Sequence, residues 1–251
     1  MNESSIKPIF NEPSLIVNKK TLVVADLHIG IEKELKENGV NTSFDFKKII
    51  DKLKILCEKH DPKEIILLGD VKHNIPFSTF KERNHLKNLF SILKKNVKKI
   101  HIVPGNHDGN IRKLIPDTDN VISIHSNRGF IDADIGFTHG HSWPSKEVMG
   151  CKNVIMAHTH PTIKLSDRLG YKSYESCWVR GKLKKNLILN EKYPEHNDPS
   201  IFIIPAFNVL CGGIAINEEG IVGPMGKIFD VKNACIYLLD GSYLGKTGQI
   251  R

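Results

Sequence analysis

Five short polar interruptions carry the residues with chemistry in them: Asp26-Leu27-His28, Gly69-Asp70, Pro104-Gly105-Asn106-His107-Asp108, His139-Gly140-His141 and His158-Thr159-His160-Pro161. Carboxylate, amide and imidazole donors of this kind suit borderline divalent cations. Each interruption alone has a plainer reading. An Asp-x-His after an apolar run makes an Asx turn. Gly-Asp and Pro-Gly-Asn are ordinary turn signals. His158 and His160 are either two surface histidines or a pair facing one centre, since alternate strand residues share a face. Five such interruptions, each delivering Asp, Asn or His at the end of an apolar run, are more than turn chemistry requires. The set reads as a metal centre.

The elements that would position these residues follow from periodicity. Residues 21–25, 64–68 and 99–103 are short apolar, β-branched runs and read as buried strands. A charged helix is expected over 31–38, with Gly39 at its C-terminal stop. A second helix begins near Thr42, where Thr42 and Asp45 have capping-box spacing. It carries the stripe Phe46, Ile49, Ile50, Leu53, Leu56 and Cys57 and ends at Asp61-Pro62. A third is expected over 80–95, with Leu86, Leu89, Phe90 and Leu93 on one face. Strand and helix in alternation imply right-handed crossovers and a largely parallel sheet. The second half reads as strands at 121–125, 130–131, 135–138, 154–157, 174–179, 201–207, 214–216 and 234–239, so a second sheet is expected. The fold class is therefore α/β, a four-layer α/β/β/α sandwich of two mixed sheets flanked by helices, in one domain over 1–251. In open α/β sheets ligands bind at the carboxyl ends of strands, which is where all five interruptions fall.

Asp26-x-His28, Gly69-Asp70, Gly105-Asn106-His107-Asp108, His139-Gly140 and His158-x-His160 together resemble the ordered motif series of the calcineurin-like metallophosphoesterases. Order and strand context both match, over residues 26–160. The one departure is Ala157, where the commonest form has Gly; it bears on packing alone. Gly69-Asp70-Val71-Lys72-His73, Ala157-His158-Thr159-His160-Pro161 and Pro205-Ala206-Phe207-Asn208 are similar to a prokaryotic branch sometimes linked with DNA ligases and helicases. The resemblance implies two divalent metal ions, manganese favoured over iron, nickel or zinc. Asp26, His28 and His160 would hold one and Asn106, His139 and His158 the other, with Asp70 bridging. A carboxylate has two oxygens and can span two cations, whereas Asn and neutral His each give one donor. A hydroxide between the ions would attack phosphorus, and His107 is the expected general acid or phosphoryl-oxygen donor. His73 and His141 are expected near substrate or in support of the ligands; Asp108 either orients His107 or caps the next helix.

Composition bounds the partners. Ordinary hydrophobic and charged fractions, 40% and 25%, fit a globular domain. No apolar run approaches the roughly 18 residues a membrane span needs, and residues 1–13 carry no secretory signal pattern. Five scattered cysteines (Cys57, Cys151, Cys177, Cys211, Cys235) argue against a disulfide framework and suit a reducing cytoplasm; all five are expected in the core. A formal charge of +8 attracts polyanions without choosing among them. Trp143 and Trp178 either stack on a base or pack in the core. Arg180, Lys182, Lys184 and Lys185 either meet phosphate or lie on a solvated loop. The expected partner is a phosphate ester, nucleic acid among the options. Phosphodiester cleavage leads, a phosphomonoesterase is the alternative, and a non-catalytic scaffold ranks below both because no ligand is missing.

Overall fold

Residues 5–42, 46–116 and 119–250 are described by the computed structural model. The first sheet runs β1 (Ile6–Pro8), β2 (Leu15–Val17), β3 (Thr21–Val24), β4 (Glu64–Leu68), β5 (Lys99–Val103) and β6 (Ile122–Ile124), in that spatial order. β3 to β6 are mutually parallel, and β1 and β2 add an antiparallel edge. The parallel strands are apolar on both faces because both are covered.

Outside this sheet lie α2 (Phe46–His60) and α3 (Phe80–Asn96), with the short α1 (Ile31–Glu37) near the carboxyl ends of the strands. The six stripe residues of α2 are all buried, and the Phe, Ile and Leu side chains among them each contribute about 1.5–3 kcal/mol. They share a core with Leu22, Val24, Ile65, Leu67, Ile100 and Ile102 on the outer face of the sheet. The expected Thr42–Asp45 cap involves Asp45, which lies outside the described residues. α3 carries a capping box that the sequence reading did not single out: Thr79 Oγ1 accepts from Glu82 N, and Glu82 accepts from Thr79 N.

The second sheet is built from β7 (Phe130–Asp132), β8 (Ile135–Thr138), β9 (Asn153–Met156), β10 (Pro161–Ser166), β11 (Lys172–Gly181), β12 (Ser200–Ile203), β13 (Ile214–Ala215), β14 (Cys235–Leu238) and β15 (Tyr243–Lys246). β8, β9 and β12 are parallel; β7, β11, β14 and β15 pair antiparallel. α4 (Lys146–Met149), α5 (Leu187–Lys192) and α6 (Ile216–Glu219) cover its outer side, where Val148, Leu189 and Ile216 join one cluster. Between the sheets lies a third core of Val23, Ile66, Leu68, Val103, Phe137, Ile155, Ala157 and Trp178. The four layers are α, β, β and α, as the sequence implied.

Residues 241–250 are built into the second sheet: β15 closes a hairpin on β14, and buried Thr247 hydrogen-bonds the carbonyl of Ala234. The strand expected over 201–207 stops at Ile203, and Phe207 N donates instead to the carbonyl of Ala25 just past β3. β1, β2, β10, β15 and the three short helices α4 to α6 were not anticipated; segments of three to six residues are too brief to establish a period.

Candidate metal centre

β3, β4, β5, β8 and β9 end together, and the backbone beyond them is strained. Asp26 (φ 55°), His28 (41°), Asp70 (47°), His158 (69°) and His160 (46°) are all left-handed. Each such non-glycine residue costs about 1–3 kcal/mol, and clusters of them mark functional sites. The conformation turns these side chains inward onto a common space. Asp26, His28 and Asp70 offer donor atoms within 4.8 Å of one another, and so do Asp70, His139 and His158. Asp70 belongs to both groups. His160 Nε2 stands 3.3 Å from Asp26 Oδ1, beside His139 Nε2 at 2.9 Å. Asn106 is exposed on the loop between Gly105 and His107.

Glycine is required where these loops touch. A Cβ on Gly69 (φ +82°) would lie 2.2 Å from the His139 ring, and one on Gly105 would lie 2.1 Å from Asp70 Oδ1.

The imidazoles are held by a second set of residues, which also decides their tautomers. His73 Nε2 lies 2.7 Å from the Glu34 carboxylate and must carry the proton there, so its Nδ1 accepts from His28 Nδ1 at 3.1 Å. His28 Nε2 is thereby left with its lone pair towards Asp70. His141 Nδ1 meets His139 Nδ1 at 3.0 Å in the same way. The His160 ring bonds the backbone of Cys211. His107 is fixed twice: its backbone N–H donates to Asp70 Oδ1 (2.8 Å) and its Nδ1–H to the carbonyl of His73 (2.6 Å). Nε2 is then the atom of His107 that exchanges a proton.

Burial holds His28 down to about 3, with His160, His107 and His73 adding to it against Asp26. Burial and neighbouring His139 likewise bring His158 to about 4. Both rings are neutral at neutral pH, the form that binds metal. Burial raises Asp70, with His139 opposing and Asp26 adding. Asp26 is also fully buried, but His160 and His139 outweigh that penalty and hold its carboxyl far below the usual range. Buried and without hydrogen-bond partners are Asp26 Oδ2, His28 Nε2 and His160 Nε2. Orphaned donors of this kind, converging on one space, fit a bound cation.

Several supporting residues were not legible as such in the sequence. Glu82 is buried and accepts from the backbone N–H groups of His73 and Asn74 as well as capping α3, so the helix start is tied to the Asp70 loop. Asp108 neither caps a helix nor touches His107: its two oxygens accept from Lys72 N (3.1 Å) and Gly105 N (2.9 Å), joining two ligand loops. Lys72 is buried beside it and donates to the carbonyl of Asn74. Asn208 donates to the carbonyl of Leu27, between two ligand positions. Cys211 was expected in the core and instead lies half-buried against His28 and His160; Cys235 is half-buried as well. Trp178 packs in the inter-sheet core and Trp143 against Tyr193. In the basic segment, Arg180 lies over Phe202 and Lys182 donates to the carbonyl of Asp198.

A family model described as calcineurin-like phosphoesterase matches residues 19–196, which include every one of these candidate ligands. The chain belongs to the calcineurin-like phosphoesterase family. Its fold is shared with nuclease MPE of Pseudomonas putida, at 19% identity and a TM-score of 0.56 over 94% of this chain and 98% of that one. YfcE, a phosphoesterase from E. coli, aligns over 90% of this chain and 97% of its own at 12% identity and a TM-score of 0.39. No curated protein sequence matches the chain. As a calcineurin-like phosphoesterase the protein is a metal-dependent phosphoric ester hydrolase, and the Asp and His groups above are its candidate sites for divalent ions. No described helix is long and apolar enough to cross a membrane.

Proposed function

We propose that this calcineurin-like phosphoesterase is a dinuclear phosphodiesterase acting on nucleic acid or nucleotides, with Asp70 shared between two ion sites and His107 as the proton donor. The observation that supports it most is the double membership of Asp70 in the two donor groups. Asp26, His28 and His160 would complete one site, and Asn106, His139 and His158 the other. When bound, two divalent ions would supply Lewis acidity towards phosphoryl oxygens and would acidify a coordinated water. Asp26 and Asp70 return only two negative charges against four, so the centre attracts an anionic ester.

The remaining work falls to side chains. His73 is buried behind His28 and linked to Glu34, so its part is to hold the His28 ring rather than to meet substrate. His141 supports His139 similarly. His107 is partly exposed, and its ring stands edge-on to His28 with centroids 4.8 Å apart. Its Nε2 can pass a proton to the departing alkoxide while Nδ1–H stays on the His73 carbonyl. The one cation built into these loops, Lys72, is buried and faces the carbonyl of Asn74, so it is not placed to bind a dianionic terminal phosphate. That favours a diester over a monoester.

The test compares an aryl phosphodiester with the matching monoester on chelator-stripped protein given Mn²⁺, Fe²⁺ or Zn²⁺. Diester turnover that requires metal and disappears in Asp70→Asn is expected. His107→Ala should lower it by about 10²–10⁴-fold at unchanged metal content. Monoester turnover alone would overturn the diester reading. Because one structural neighbour is a nuclease, DNA and RNA are the first natural diesters to try.

A further inference from the structure

We propose that Cys211 is an additional metal ligand, its sulfur joining Asp26, His28 and His160 to make one half of the centre a mixed carboxylate, imidazole and thiolate site. This rests on the reading that those three residues hold an ion.

The sulfur of Cys211 and the ring nitrogens of His28 and His160 lie within 4.8 Å of one another. Bonds of about 2.3 Å to sulfur and 2.0–2.1 Å to nitrogen put tetrahedral donors roughly 3.5 Å apart. The three donors therefore close on a single ion with modest side-chain movement. The neighbouring donors point to a ligand independently of the thiol. His28 is 4% exposed and Asp26 fully buried, and His28 Nε2, His160 Nε2 and Asp26 Oδ2 all lack a hydrogen-bond partner. The sulfur itself has one weak contact, 3.5 Å to the backbone carbonyl of Asp26.

The loop that carries Cys211 is fastened to the site on both sides. Phe207 N donates to the carbonyl of Ala25 (2.9 Å), Asn208 Nδ2 to that of Leu27 (2.8 Å), and Ile214 N to that of His160 (3.1 Å). Its own backbone bonds the His160 ring. The segment bearing the thiol is thus held by the two loops that bear the other ligands. The remaining cysteines are placed differently: Cys57 and Cys177 are buried in the two outer cores, Cys151 is buried after α4, and Cys235 is on β14.

Coordination releases the thiol proton to solvent and adds one negative charge to the site. A soft donor shifts preference from Mn²⁺ towards Zn²⁺, Fe²⁺ and Co²⁺. The experiment is a Co²⁺ titration of the chelator-stripped full-length protein, followed by absorption. The wild type should show the visible d–d bands of bound cobalt together with a near-ultraviolet thiolate-to-cobalt charge-transfer band. Cys211→Ser and Cys211→Ala should keep the d–d bands and lose the charge-transfer band, while Cys235→Ser keeps both. The ratio of Zn²⁺ to Mn²⁺ affinity should fall at least about tenfold in the two Cys211 variants. Bound cobalt without the charge-transfer band in the wild type overturns the assignment and leaves the metal centre standing, as does a band that survives Cys211→Ser. No d–d bands at all in the wild type overturns both.

Discussion

Asp108→Asn tests whether the ligand loops are held by a buried strut. Asp108 is 2% exposed, and its two oxygens each accept a backbone N–H, from Lys72 at 3.1 Å and Gly105 at 2.9 Å. Burial raises its pKa, Asp70 adds to that, and the backbone N–H groups of Gly105, Lys72 and Val71 oppose it. A protonated acid would turn an O–H towards one of those donors, so the arrangement uses the carboxylate. Asparagine keeps one acceptor and faces the other N–H with its NH₂. One buried donor is then left unsatisfied, at about 1–3 kcal/mol. Buried Lys72 also loses one of the three carboxylates around it, the others being Glu82 and Asp70. Together the loss should be about 2–4 kcal/mol. For a chain of this size that is a fall of about 5–15 °C in melting temperature. Thermal unfolding of the chelator-stripped proteins by circular dichroism measures it, and metal affinity should weaken in parallel. A fall below about 2 °C would refute the strut. An altered pH profile of turnover at unchanged stability would return Asp108 to the role of orienting His107.

Two further outcomes follow from the same geometry. Gly69→Ala places a methyl group 2.2 Å from the His139 ring at a backbone φ of +82°, so that ring must move. We expect the metal measured per chain by elemental analysis to drop while the far-ultraviolet spectrum stays native; full metal occupancy would contradict the steric argument. The second outcome concerns the His101–His125 pair, hydrogen-bonded at 2.8 Å and stacked on Phe130. Burial, then His101 and Lys99, lowers His125 to about 4; burial also lowers His101, with Glu64 opposing and Lys99 adding. Between pH 6.5 and 4 the unfolded chain binds the extra protons, so stability is full above pH 6.5 and is lost as pH falls towards 4. Discounted for the partly exposed His125 ring, this is about 1–2 kcal/mol. Urea midpoints at pH 7 and pH 5 should differ less in His125→Gln than in wild type, and equal differences would refute the coupling.

The sequence by itself singled out the candidate ligands and determined the layer order. Asp26, His28, Asp70, Asn106, His107, His139, His158 and His160 could be singled out because each follows a strand legible from a run of apolar residues. The stripe of α2, Phe46 to Cys57, was equally plain, since it repeats over about three turns. What the tertiary structure decided was the support of the site. Glu34 and Glu82 sit in helices where surface glutamates are unremarkable, and only folding brings them to His73. Asp108 looked like a cap because local spacing cannot show that its partners are the backbone of Lys72, 36 residues away, as well as that of nearby Gly105. Cys211 looked like a core residue because it follows the apolar pair Val209 and Leu210. Its approach to His28 depends on hydrogen bonds from Phe207 and Asn208 to the backbone of residues 25–27, contacts across some 180 positions. Periodicity reports which face of an element is buried; it carries no information on which buried groups meet, because that is set by how separate elements pack.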